Sequence, residues 1–427
     1  MLTDWIYWLY SIPQIDLLLL LCPLMLFDSA RYVIAALAMW LVDAAHDAYA
    51  WLRGHNDVPS YSHCPSVCAV IAGLNEADGL ERSLSNIWGC YPRLEIVIVD
   101  DGSTDGMSEV ANRFAKCHQG VKVITKKRGG KSSAMNAALP LTNAEVIVIV
   151  DADSGLSRDA IWEVVQPLSD PRVAAVSGNV MVRNTGRNLL TYLQTFEYLR
   201  SILVGRLFSG RMGILGIVSG AFGAFRRSAL DRVGAWDVGP GEDEDIVLRL
   251  RKLGYRIEFA PRAECYTDVP ESLKVLIKQR RRWEWAVVTF EARKHIDLAD
   301  PRYANFRVSN LLLMMERWVF NLILPIFFWV YILWLALNIE AGYMLQISAM
   351  YYFVYIFLEA IQWLMVLYYS EHKWRDAKLV FALPLLPFYQ FMQRCVTTRA
   401  LLEEMLLRQS FKDGFVPSHV RMATRKW

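Results

Sequence analysis

The sequence predicts an α/β domain with an open, Rossmann-like parallel sheet, placed between membrane segments. Hydrophobic residues make up 54% of the 427 residues, a high share for a soluble protein. They are concentrated in residues 1–52 and 305–398, whereas residues 65–300 have the mixed composition of a globular domain. Between residues 67 and 150, short β-branched runs alternate with amphipathic stretches, which specifies parallel strands joined by right-handed helical crossovers.

The elements of this domain follow from the same alternation. The predicted strands are Val67–Ile71, Leu94–Val99, Val121–Ile124, Val146–Val150, Val173–Val182 and Arg256–Ala260. The predicted helices are Glu76–Trp88, Met107–Cys117, Ser132–Leu139, Leu189–Phe208, Asp245–Leu253 and Pro270–His295. The last of these helices is rich in Lys, Arg and Trp, which is typical of a position at the membrane surface.

Apolar runs predict membrane helices on both sides of the domain. Residues 4–27 and 30–52 approach the ~20 residues that a membrane-spanning helix needs, so this anchor contains one or two helices. Leu311–Leu337 and Tyr343–Tyr369 are two further spans. The run Leu379–Met392 is shorter and contains two prolines. We expect it to be a third crossing, although the basic tail beyond it favours a segment that re-enters on the cytosolic side.

These observations divide the chain into six parts. They are an N-terminal membrane segment (1–52), a linker (53–64), a cytosolic α/β domain (65–268), interfacial amphipathic helices (269–304), a C-terminal membrane region of two or three helices (305–398) and a basic tail (399–427). The net charge is only +3, and no basic stretch is interleaved with aromatic residues. Nucleic acid is therefore not an expected partner.

Two carboxylates, Asp151 and Asp153, directly follow the buried strand Val146–Val150. The carboxyl ends of parallel strands are where open α/β sheets bind ligands, and a hard divalent cation prefers oxygen ligands. The pair therefore predicts a site for a cation that carries a diphosphate. The alternative is that Asp-x-Asp closes the strand as ordinary turn chemistry.

Two further signatures lie at loop positions of the predicted sheet. Asp100 and Asp101 end the second strand, where a carboxylate can accept a hydrogen bond from a ribose hydroxyl or a base N–H. They can equally form a turn and cap a helix. Lys131 lies where a Gly-rich loop enters a helix, so its ammonium and the free N–H groups can meet phosphate.

Two more signatures lie later in the chain. Glu242–Asp245 places four carboxylates at the start of a helix, where negative charge is favourable. Adjacent anions repel, so one of them near apolar surface can gain a raised pKa and act as a general base. Gln279–Trp283, Gln-Arg-Arg-Arg-Trp, is either a basic turn that faces lipid headgroups or an arginine clamp on a leaving diphosphate.

The succession of these motifs resembles that of the family-2 inverting glycosyltransferases. The motifs are Asn75-Glu76, Asp100-Asp101, Lys131, Asp151-x-Asp153, Glu242-Asp243 and Gln279-x-x-Arg282-Trp283. The resemblance runs from about residue 66 to 300 and is closer to the membrane-embedded, processive branch of poly-N-acetylglucosamine, rhizobial chitooligosaccharide, hyaluronan and cellulose synthases. It implies a GT-A glycosyltransferase fold for the α/β domain, inserted between N- and C-terminal transmembrane helices.

The resemblance also implies a role for each motif. Asp243 would be the catalytic base, Arg282 would steady the departing UDP, and Trp283 would stack on the acceptor sugar. Asp153 would bind Mg²⁺ or Mn²⁺, with Asp151 supporting it toward the donor. The other implied donor-binding residues are Asn75, Glu76, Asp100, Asp101 on the uridine, Lys131 on the diphosphate, and Gln279. The other implied acceptor-binding residues are Ser219, Gly220 and Glu242.

Two positions depart from the family pattern. Gly241 stands where a Thr or Ser usually precedes Glu-Asp, and Ala72-Gly-Leu-Asn-Glu76 replaces the usual Pro-x-Tyr-Asn-Glu. The first departure affects the hydrogen bonds around the base. The second affects only the packing of the nucleotide.

The implied function is a processive synthase that transfers GlcNAc or Glc from a UDP-sugar to the growing end of a β-linked polymer and exports the chain. Inversion needs a single carboxylate base. The implied location is the plasma (inner) membrane, and the implied partners include the lipid bilayer and a small membrane subunit or periplasmic export proteins. Two alternatives stay open: a single-addition transferase acting on a membrane lipid, and a non-catalytic nucleotide-sensing or transport protein.

Overall fold

The computed structural model describes residues 33, 36–53, 61–237, 239, 241–303, 305–412, 414 and 417–423. The first predicted membrane helix and most of the predicted linker lie outside the described residues. Of the predicted N-terminal membrane segment, residues 36–52 form helix α1.

An eight-stranded sheet forms the centre of the α/β domain, with the strand order β3-β2-β1-β4-β7-β6-β8-β5. The strands are β1 (Val67–Gly73), β2 (Leu94–Asp100), β3 (Val121–Thr125), β4 (Val146–Asp151), β5 (Gly155–Leu156), β6 (Val173–Val182), β7 (Phe222–Arg226) and β8 (Arg256–Thr267). All six predicted strands are confirmed, and β8 runs further than predicted.

The parallel part of the sheet aligns the polar ends of its strands. Strand β1 pairs in parallel with β2 and β4, and the interiors of all three are buried, as their β-branched runs predict. In this register Gly73 is opposite Asp100, and Ala72 is opposite Asp151. The two strand ends that carry carboxylates therefore lie on the same edge of the sheet.

The predicted parallel pairing is confirmed for β1 to β4, but the sheet as a whole is mixed, with antiparallel pairs at β5 and at β7. Strand β7 pairs antiparallel with β4 on one side and with β6 on the other. It is five residues long and follows the glycine-containing run Val218–Ala221, so its sequence lacks the length and alternation that mark a strand. Because Phe222 pairs with Val150, the residues that precede β7 lie beside the end of β4.

Helices cover both faces of the sheet, each face with its own hydrophobic core. They are α2 (Ala77–Ile87), α3 (Met107–Cys117), α4 (Lys131–Ala138), α5 (Ala160–Val165), α6 (Leu189–Tyr198), α7 (Gly205–Arg211), α8 (Arg227–Val233), α9 (Glu242–Lys252), α10 (Leu273–Ala286), α11 (Val308–Arg317), α12 (Leu324–Asn338), α13 (Ala341–Tyr369), α14 (Lys373–Ala377), α15 (Leu386–Leu407) and α16 (Ser418–Ala423). Wider π-helical turns continue α6 (Leu199–Val204), α10 (Val287–Lys294) and α11 (Trp318–Ile323). Every predicted helix of the domain is present, and α9 begins three residues earlier than predicted, at Glu242.

Three long apolar helical segments follow the domain. Val308–Asn338, Ala341–Tyr369 and Lys373–Leu407 each contain an 18-residue stretch that is strongly apolar, with mean hydropathies of 2.2, 1.6 and 1.2 in turn. Each is long and apolar enough to cross a bilayer. The first two correspond to the predicted spans. The third, which contains α14 and α15, is much longer than the predicted run Leu379–Met392.

Candidate active site

Asp101, directly after β2, fastens the Gly-rich loop that precedes α4. Its carboxylate is 4% exposed and accepts hydrogen bonds from the N–H groups of Gly129 (2.9 Å) and Gly130 (2.6 Å) and from the ammonium of Lys126 (2.8 Å). Both carboxylate oxygens are therefore used inside the protein. The contact of Asp101 with a uridine stays a prediction, and the contacts that the structure does show hold the loop that leads to Lys131.

Asp100 and Asn75 join the loops that follow β1 and β2. The buried Asp100 carboxylate accepts hydrogen bonds from the Ser103 N–H (2.8 Å) and the Ser108 hydroxyl. Burial alone would raise the pKa of Asp100, but these hydrogen bonds outweigh it and lower the pKa. Asn75 has a φ of 59°, and its amide oxygen accepts a hydrogen bond from the Thr104 N–H (2.9 Å). The side chains of Asp100 and Asn75 thus hold together the loops that follow β1 and β2. Their contact with a donor stays a prediction.

Lys131, the first residue of α4, links three of the predicted motifs. Its ammonium donates to the Asp151 carboxylate at the end of β4 and to the Gly220 carbonyl (2.9 Å) before β7. Burial opposes the charge of Lys131, but the nearby carboxylates, Asp151 first, outweigh burial and raise its pKa. Glu242 and Asp243 of α9 are two further carboxylates that act on this ammonium. Lys131 is therefore a cation at the point where β4, the β7 turn and α9 meet.

A cluster of carboxylates faces the end of β4. Burial raises the pKa of Asp153, and the neighbouring Asp151 raises it further. Burial also raises the pKa of Glu76 to about 7, with Asp153 and Asp151 as the next causes. Raised pKa values among neighbouring carboxylates record their mutual repulsion, which a bound cation would relieve.

The donor atoms of this cluster fit Mg²⁺ or Mn²⁺, since both prefer carboxylate oxygens. Among the described residues, no group of three or more His, Cys, Asp or Glu side chains is arranged to hold an ion alone. Asp153, with Asp151 beside it, would hold such a cation, which would add charge neutralisation at a diphosphate. Asp153 as the metal ligand stays a prediction.

Asp243 lies beside Lys131, across Gly220. A Cβ atom at Gly220 would lie 3.5 Å from Oδ2 of Asp243 and 3.3 Å from Nζ of Lys131. Burial raises the pKa of Asp243, while the charges of Lys131 and Arg206 act in the opposite direction. Its Oδ1 accepts a hydrogen bond from the Glu244 N–H (3.0 Å). The absence of a side chain at Gly220 therefore lets a carboxylate and an ammonium approach the same strand end.

The glycine that precedes Glu242 is required by the packing. Gly241 has a φ of 89°, a conformation that favours glycine. A Cβ atom there would lie 2.6 Å from Cβ of Ala286, at the end of α10, and 3.4 Å from the ring of Phe290. The departure from the family pattern thus lets the first turn of α9 approach the helix that carries Gln279–Trp283.

The predicted residues of α10 lie near this first turn. Burial raises the pKa of Glu242, and the Arg282 guanidinium is among the charges that oppose this. The indole of Trp283 is 46% exposed and rests on the Arg280 guanidinium at 4.0 Å. The amide oxygen of Gln279 is buried and accepts no hydrogen bond from the residues that the structure describes. An exposed indole held by a cation presents a flat face to a sugar ring.

The other two carboxylates of α9 have different surroundings. Asp245 accepts hydrogen bonds from His295 (2.8 Å) and Arg249 (2.8 Å). Burial opposes its charge, but these two partners outweigh burial and lower the pKa of Asp245. Burial and then the neighbouring Glu291 raise the pKa of Glu244 well above its usual range. Glu244 and Asp245 therefore differ from Asp243 in their contacts: Glu244 and Asp245 contact other protein side chains, and Asp243 is the candidate base.

The structure adds two arginines that sequence analysis did not single out. Arg206 of α7 donates to the hydroxyl of Ser177 on β6 (2.7 Å) and acts on Asp243. Arg183 donates to the backbone carbonyl of Asp153 (2.8 Å). Arg206 is one of two arginines in the predicted helix Leu189–Phe208, and the sequence does not distinguish it from Arg200. No local pattern marks Arg183.

The predicted site residues are thus distributed around one edge of the sheet. Hydrogen bonds or close approach join Lys131 to Asp151, Gly220 and Asp243. Ser219 lies at the same turn, where its N–H donates to Ser177 (3.3 Å).

Comparisons with known proteins bear on the family of this chain. The family model described as "Glycosyltransferase like family 2" matches residues 65–286. The poly-β-1,6-N-acetyl-D-glucosamine synthases of Staphylococcus epidermidis and of Staphylococcus aureus (strain MSSA476) are each 33% identical to the chain over 217 residues. These matches cover 50% of this chain and 52% of each relative. The match thus spans about half the length of these curated relatives.

A solved structure supports the fold. The mannosyltransferase PcManGT from Pyrobaculum calidifontis, in complex with GDP-Man and Mn²⁺, superimposes with a TM-score of 0.58 at 23% sequence identity. The match covers 90% of this chain and 98% of that one, and it identifies the α/β domain as GT-A-like. Since the family model covers more than half of the residues and carries every motif from Asn75 to Trp283, the chain belongs to glycosyltransferase family 2.

Proposed function

We propose that this protein is a membrane-bound, processive polysaccharide synthase. It would transfer GlcNAc or Glc from a UDP-sugar to the growing end of a β-linked polymer, with inversion, and pass the chain across the plasma (inner) membrane. The observation that carries the proposal is the meeting of Lys131, Asp151, Gly220 and Asp243 at one edge of the sheet. In this proposal Lys131 is the cation for the leaving group and Asp243 is the carboxylate base.

The donor half of the reaction needs positive charge at the diphosphate. Lys131 is a partly buried cation with a raised pKa, and Arg282 lies near the first turn of α9. Both would stabilise the charge that develops on UDP as the glycosidic bond breaks. A divalent cation held by Asp153, with Asp151 beside it, would supply additional charge neutralisation when bound.

The acceptor half needs one base and a surface for the sugar. The Asp243 carboxylate would accept the proton of the attacking hydroxyl while that oxygen bonds to the anomeric carbon. A single displacement of this kind inverts the configuration and needs no second nucleophile. Ser219, Gly220 and Glu242 border the same space. Trp283 offers an exposed indole for stacking.

Two further observations support the polymer and the membrane in this proposal. The two staphylococcal relatives are named as synthases of poly-β-1,6-N-acetyl-D-glucosamine. Three helical segments beyond the domain are long and apolar enough to cross a bilayer. A small membrane subunit or periplasmic export proteins would be the protein partners of such a synthase.

Donor and reaction class are tested together with detergent-purified protein. Nucleotide release and sugar transfer are measured with UDP-GlcNAc, UDP-Glc, UDP-GlcA and GDP-Man, each with Mg²⁺ or Mn²⁺. Asp243→Asn is expected to lower transfer by about 100-fold or more, because a positioned general base contributes roughly 10²–10⁴. Asp231→Asn, at an exposed site on α8, is the control and is expected to keep the wild-type rate. Wild-type transfer by Asp243→Asn would contradict the proposal.

Product size separates processive from single addition. A ladder of increasing chain length supports the synthase. A single glycosylated lipid with no ladder would overturn processivity and leave the transferase activity in place.

A further inference from the structure

The third apolar segment, Lys373–Leu407, contacts the α/β domain at its start. The residue before it, His372, lies 2.9 Å from the Tyr266 hydroxyl and 3.1 Å from the Glu264 carboxylate, both on β8. A little further on, the hydroxyl of Tyr192 on α6 donates to the backbone carbonyl of Lys378. The segment therefore begins against the domain.

The middle of the segment contacts the same helix. The Tyr389 hydroxyl donates to the Glu197 carboxylate on α6 at 2.5 Å, and the Gln393 amide nitrogen lies 3.4 Å from the same carboxylate. Glu197 in turn pairs with Arg280 of α10 at 3.0 Å. The segment is thus held between α6 and α10.

The end of the segment is held even more firmly. Thr397 donates to Glu284 on α10 at 3.0 Å, and Arg281 pairs with Glu403 at 2.7 Å. Glu404 is fully buried, where Arg293 donates to its carboxylate at 2.7 Å. These ion pairs lie on the domain side of the helix.

These contacts are incompatible with a crossing. Thirty-five helical residues extend over about 50 Å, more than the ~30 Å of the bilayer hydrocarbon. A helix that crossed would carry its far end away from the domain. Here the start and middle of the segment contact β8 and α6 of the α/β domain, and its end contacts α10 and the turns that continue α10, so the segment lies along this surface.

The outward face of the segment is apolar and largely exposed, although Phe388 and Phe391 also contact the rings of Tyr352 and Phe328 in the two preceding segments. The exposed fractions are 77% for Phe381, 65% for Phe388, 49% for Phe391, 51% for Met405 and 75% for Leu406. A segment that makes ion pairs to protein on one side and exposes large apolar side chains on the other fits a lipid surface, where such side chains are buried by about 5–10 Å.

The two preceding apolar segments begin and end near the α/β domain, so the membrane that they cross lies next to this domain. Arg317, near the start of the first, pairs with Glu291 of the domain at 3.0 Å. Tyr369, the last residue of the second, donates to Asp43 at 2.8 Å, and Arg211 of α7 pairs with the same carboxylate at 2.6 Å. Val308–Tyr369 therefore leaves the domain and returns to it, as two crossings require.

We propose that Lys373–Leu407 lies in the interface of the leaflet that faces the α/β domain, and that the residues after it stay on the side of that domain. The exposed apolar face of this segment would contact lipid, in the same bilayer that surrounds the two crossings. A third crossing would put the basic tail on the side opposite to the α/β domain, against the positive-inside rule. With an interfacial segment, the tail lies on the cytosolic side, where positive charge is retained. It does not depend on the transferase activity.

The side of the tail is tested by cysteine labelling of the full chain in membranes. Lys412→Cys and Glu340→Cys, the latter between the two crossings, are each exposed to a membrane-impermeant maleimide in spheroplasts and in inverted vesicles. Native Cys117, which is exposed on the domain, marks the domain side in the same molecule. We expect position 412 to label with Cys117 and position 340 to label from the opposite side. Labelling of position 412 from the side opposite to Cys117 would overturn the proposal.

The lipid contact is tested by depth. Nitroxide labels at Phe381→Cys, Phe388→Cys and Met405→Cys, in nanodiscs, are compared for collision with oxygen and with a water-soluble nickel complex. A segment in the interface gives one shallow depth at all three positions. Depths that increase to the bilayer centre and then decrease would show a crossing, and water exposure at all three would exclude the lipid surface.

Discussion

The protonation of Asp243 is set by its neighbours, and this gives a testable pH dependence. Burial raises the pKa of Asp243, and Arg206 opposes that effect. As a base, Asp243 works only when it is deprotonated, so transfer should decrease as the pH falls through its pKa, above the usual 3.8. Removal of the Arg206 charge should move this decrease to higher pH.

Arg206→Met is therefore expected to shift the acidic limb of the kcat profile upward, with a smaller effect on the alkaline plateau. The measurement is the rate of transfer against pH. Arg211→Met, on the same helix but paired with Asp43, is the control. An unshifted acidic limb in Arg206→Met would mean that Asp243 is not the titrating base.

Gly241 gives a second prediction at the residue scale. Gly241→Ser combines a φ of 89° with a contact of 2.6 Å to Ala286, and we expect it to destabilise the protein by about 2–4 kcal/mol. Gly186→Ser, at a φ of 82° in open space, carries the backbone strain alone. Thermal unfolding of both variants separates the clash from the strain. Equal midpoints would show that α9 and α10 can separate at no cost.

The raised pKa of Glu284 predicts that the stability of the protein depends on pH. Burial raises its pKa from 4.5 to about 7, and it accepts a hydrogen bond from Thr397. The folded state then binds a proton more tightly than the unfolded state, so this group's contribution to stability is present below pH 4.5 and is lost as the pH rises through about 7.

Glu284→Gln is neutral at every pH and lacks this loss. We expect the unfolding midpoint of the wild type to decrease relative to that of Glu284→Gln between pH 5 and 7.5. Parallel midpoints across this range would contradict the raised pKa. Glu271→Gln, at an exposed carboxylate, is the control.

At the scale of elements, α10 depends on α6 for the position of its indole. The Glu197 carboxylate holds Arg280 at 3.0 Å, and Trp283 rests on that guanidinium. Glu197→Gln removes the charge that balances a buried arginine, which costs about 3–5 kcal/mol. We expect a lower unfolding midpoint and a KM for acceptor that rises more than kcat falls. Glu271→Gln, whose pair with Arg187 is exposed, should change stability by less than about 1 kcal/mol.

The sequence predicts these elements well where they repeat a simple pattern. Strands with consecutive β-branched residues and helices with amphipathic periods were found close to their bounds, because burial on one or both faces determines their composition. Strand β7 was missed since a five-residue strand beside glycine carries no such pattern. Its antiparallel direction depends on partners that are distant in sequence.

Some residues of the candidate site could likewise be predicted from local sequence, and others could not. Carboxylates at strand ends, such as Asp151 and Asp153, are local features, and so is the Lys131 loop. Arg206 and Arg183 reach the site only through the packing of α7 and β6, which no short motif records. The use of both Asp101 oxygens by the Gly-rich loop is likewise visible only in three dimensions.

At the scale of the whole molecule, buried ion pairs join the α/β domain to the apolar helices. Arg200 donates to the fully buried Glu359 of α13 at 2.7 Å. Arg317 of α11 pairs with Glu291 at 3.0 Å and lies 3.7 Å from Glu244. Since Glu244 directly follows Asp243, the second contact ties the first apolar segment to the helix of the candidate base.

Arg317→Met is expected to leave two carboxylates without a compensating charge, and so to lower the unfolding midpoint and the rate of transfer together. Arg302→Met, at an exposed pair with Asp300, is the control and should change neither. Membrane insertion, measured by fractionation, should be unaffected. Full activity of Arg317→Met would show that α9 does not depend on the apolar segment.

The pairing of Lys131 with Asp151 has a consequence for how a donor would bind. The ammonium pairs with the Asp151 carboxylate, so a diphosphate that binds Lys131 would replace one anionic partner with another. The net electrostatic gain would then be the difference between the Lys131–diphosphate contact and the Lys131–Asp151 contact. The Asp151 carboxylate, once released, would be available to a cation that binds with the nucleotide. Binding of nucleotide and cation would therefore be cooperative, with each strengthening the other, and exchange at a single lysine would set the size of that coupling.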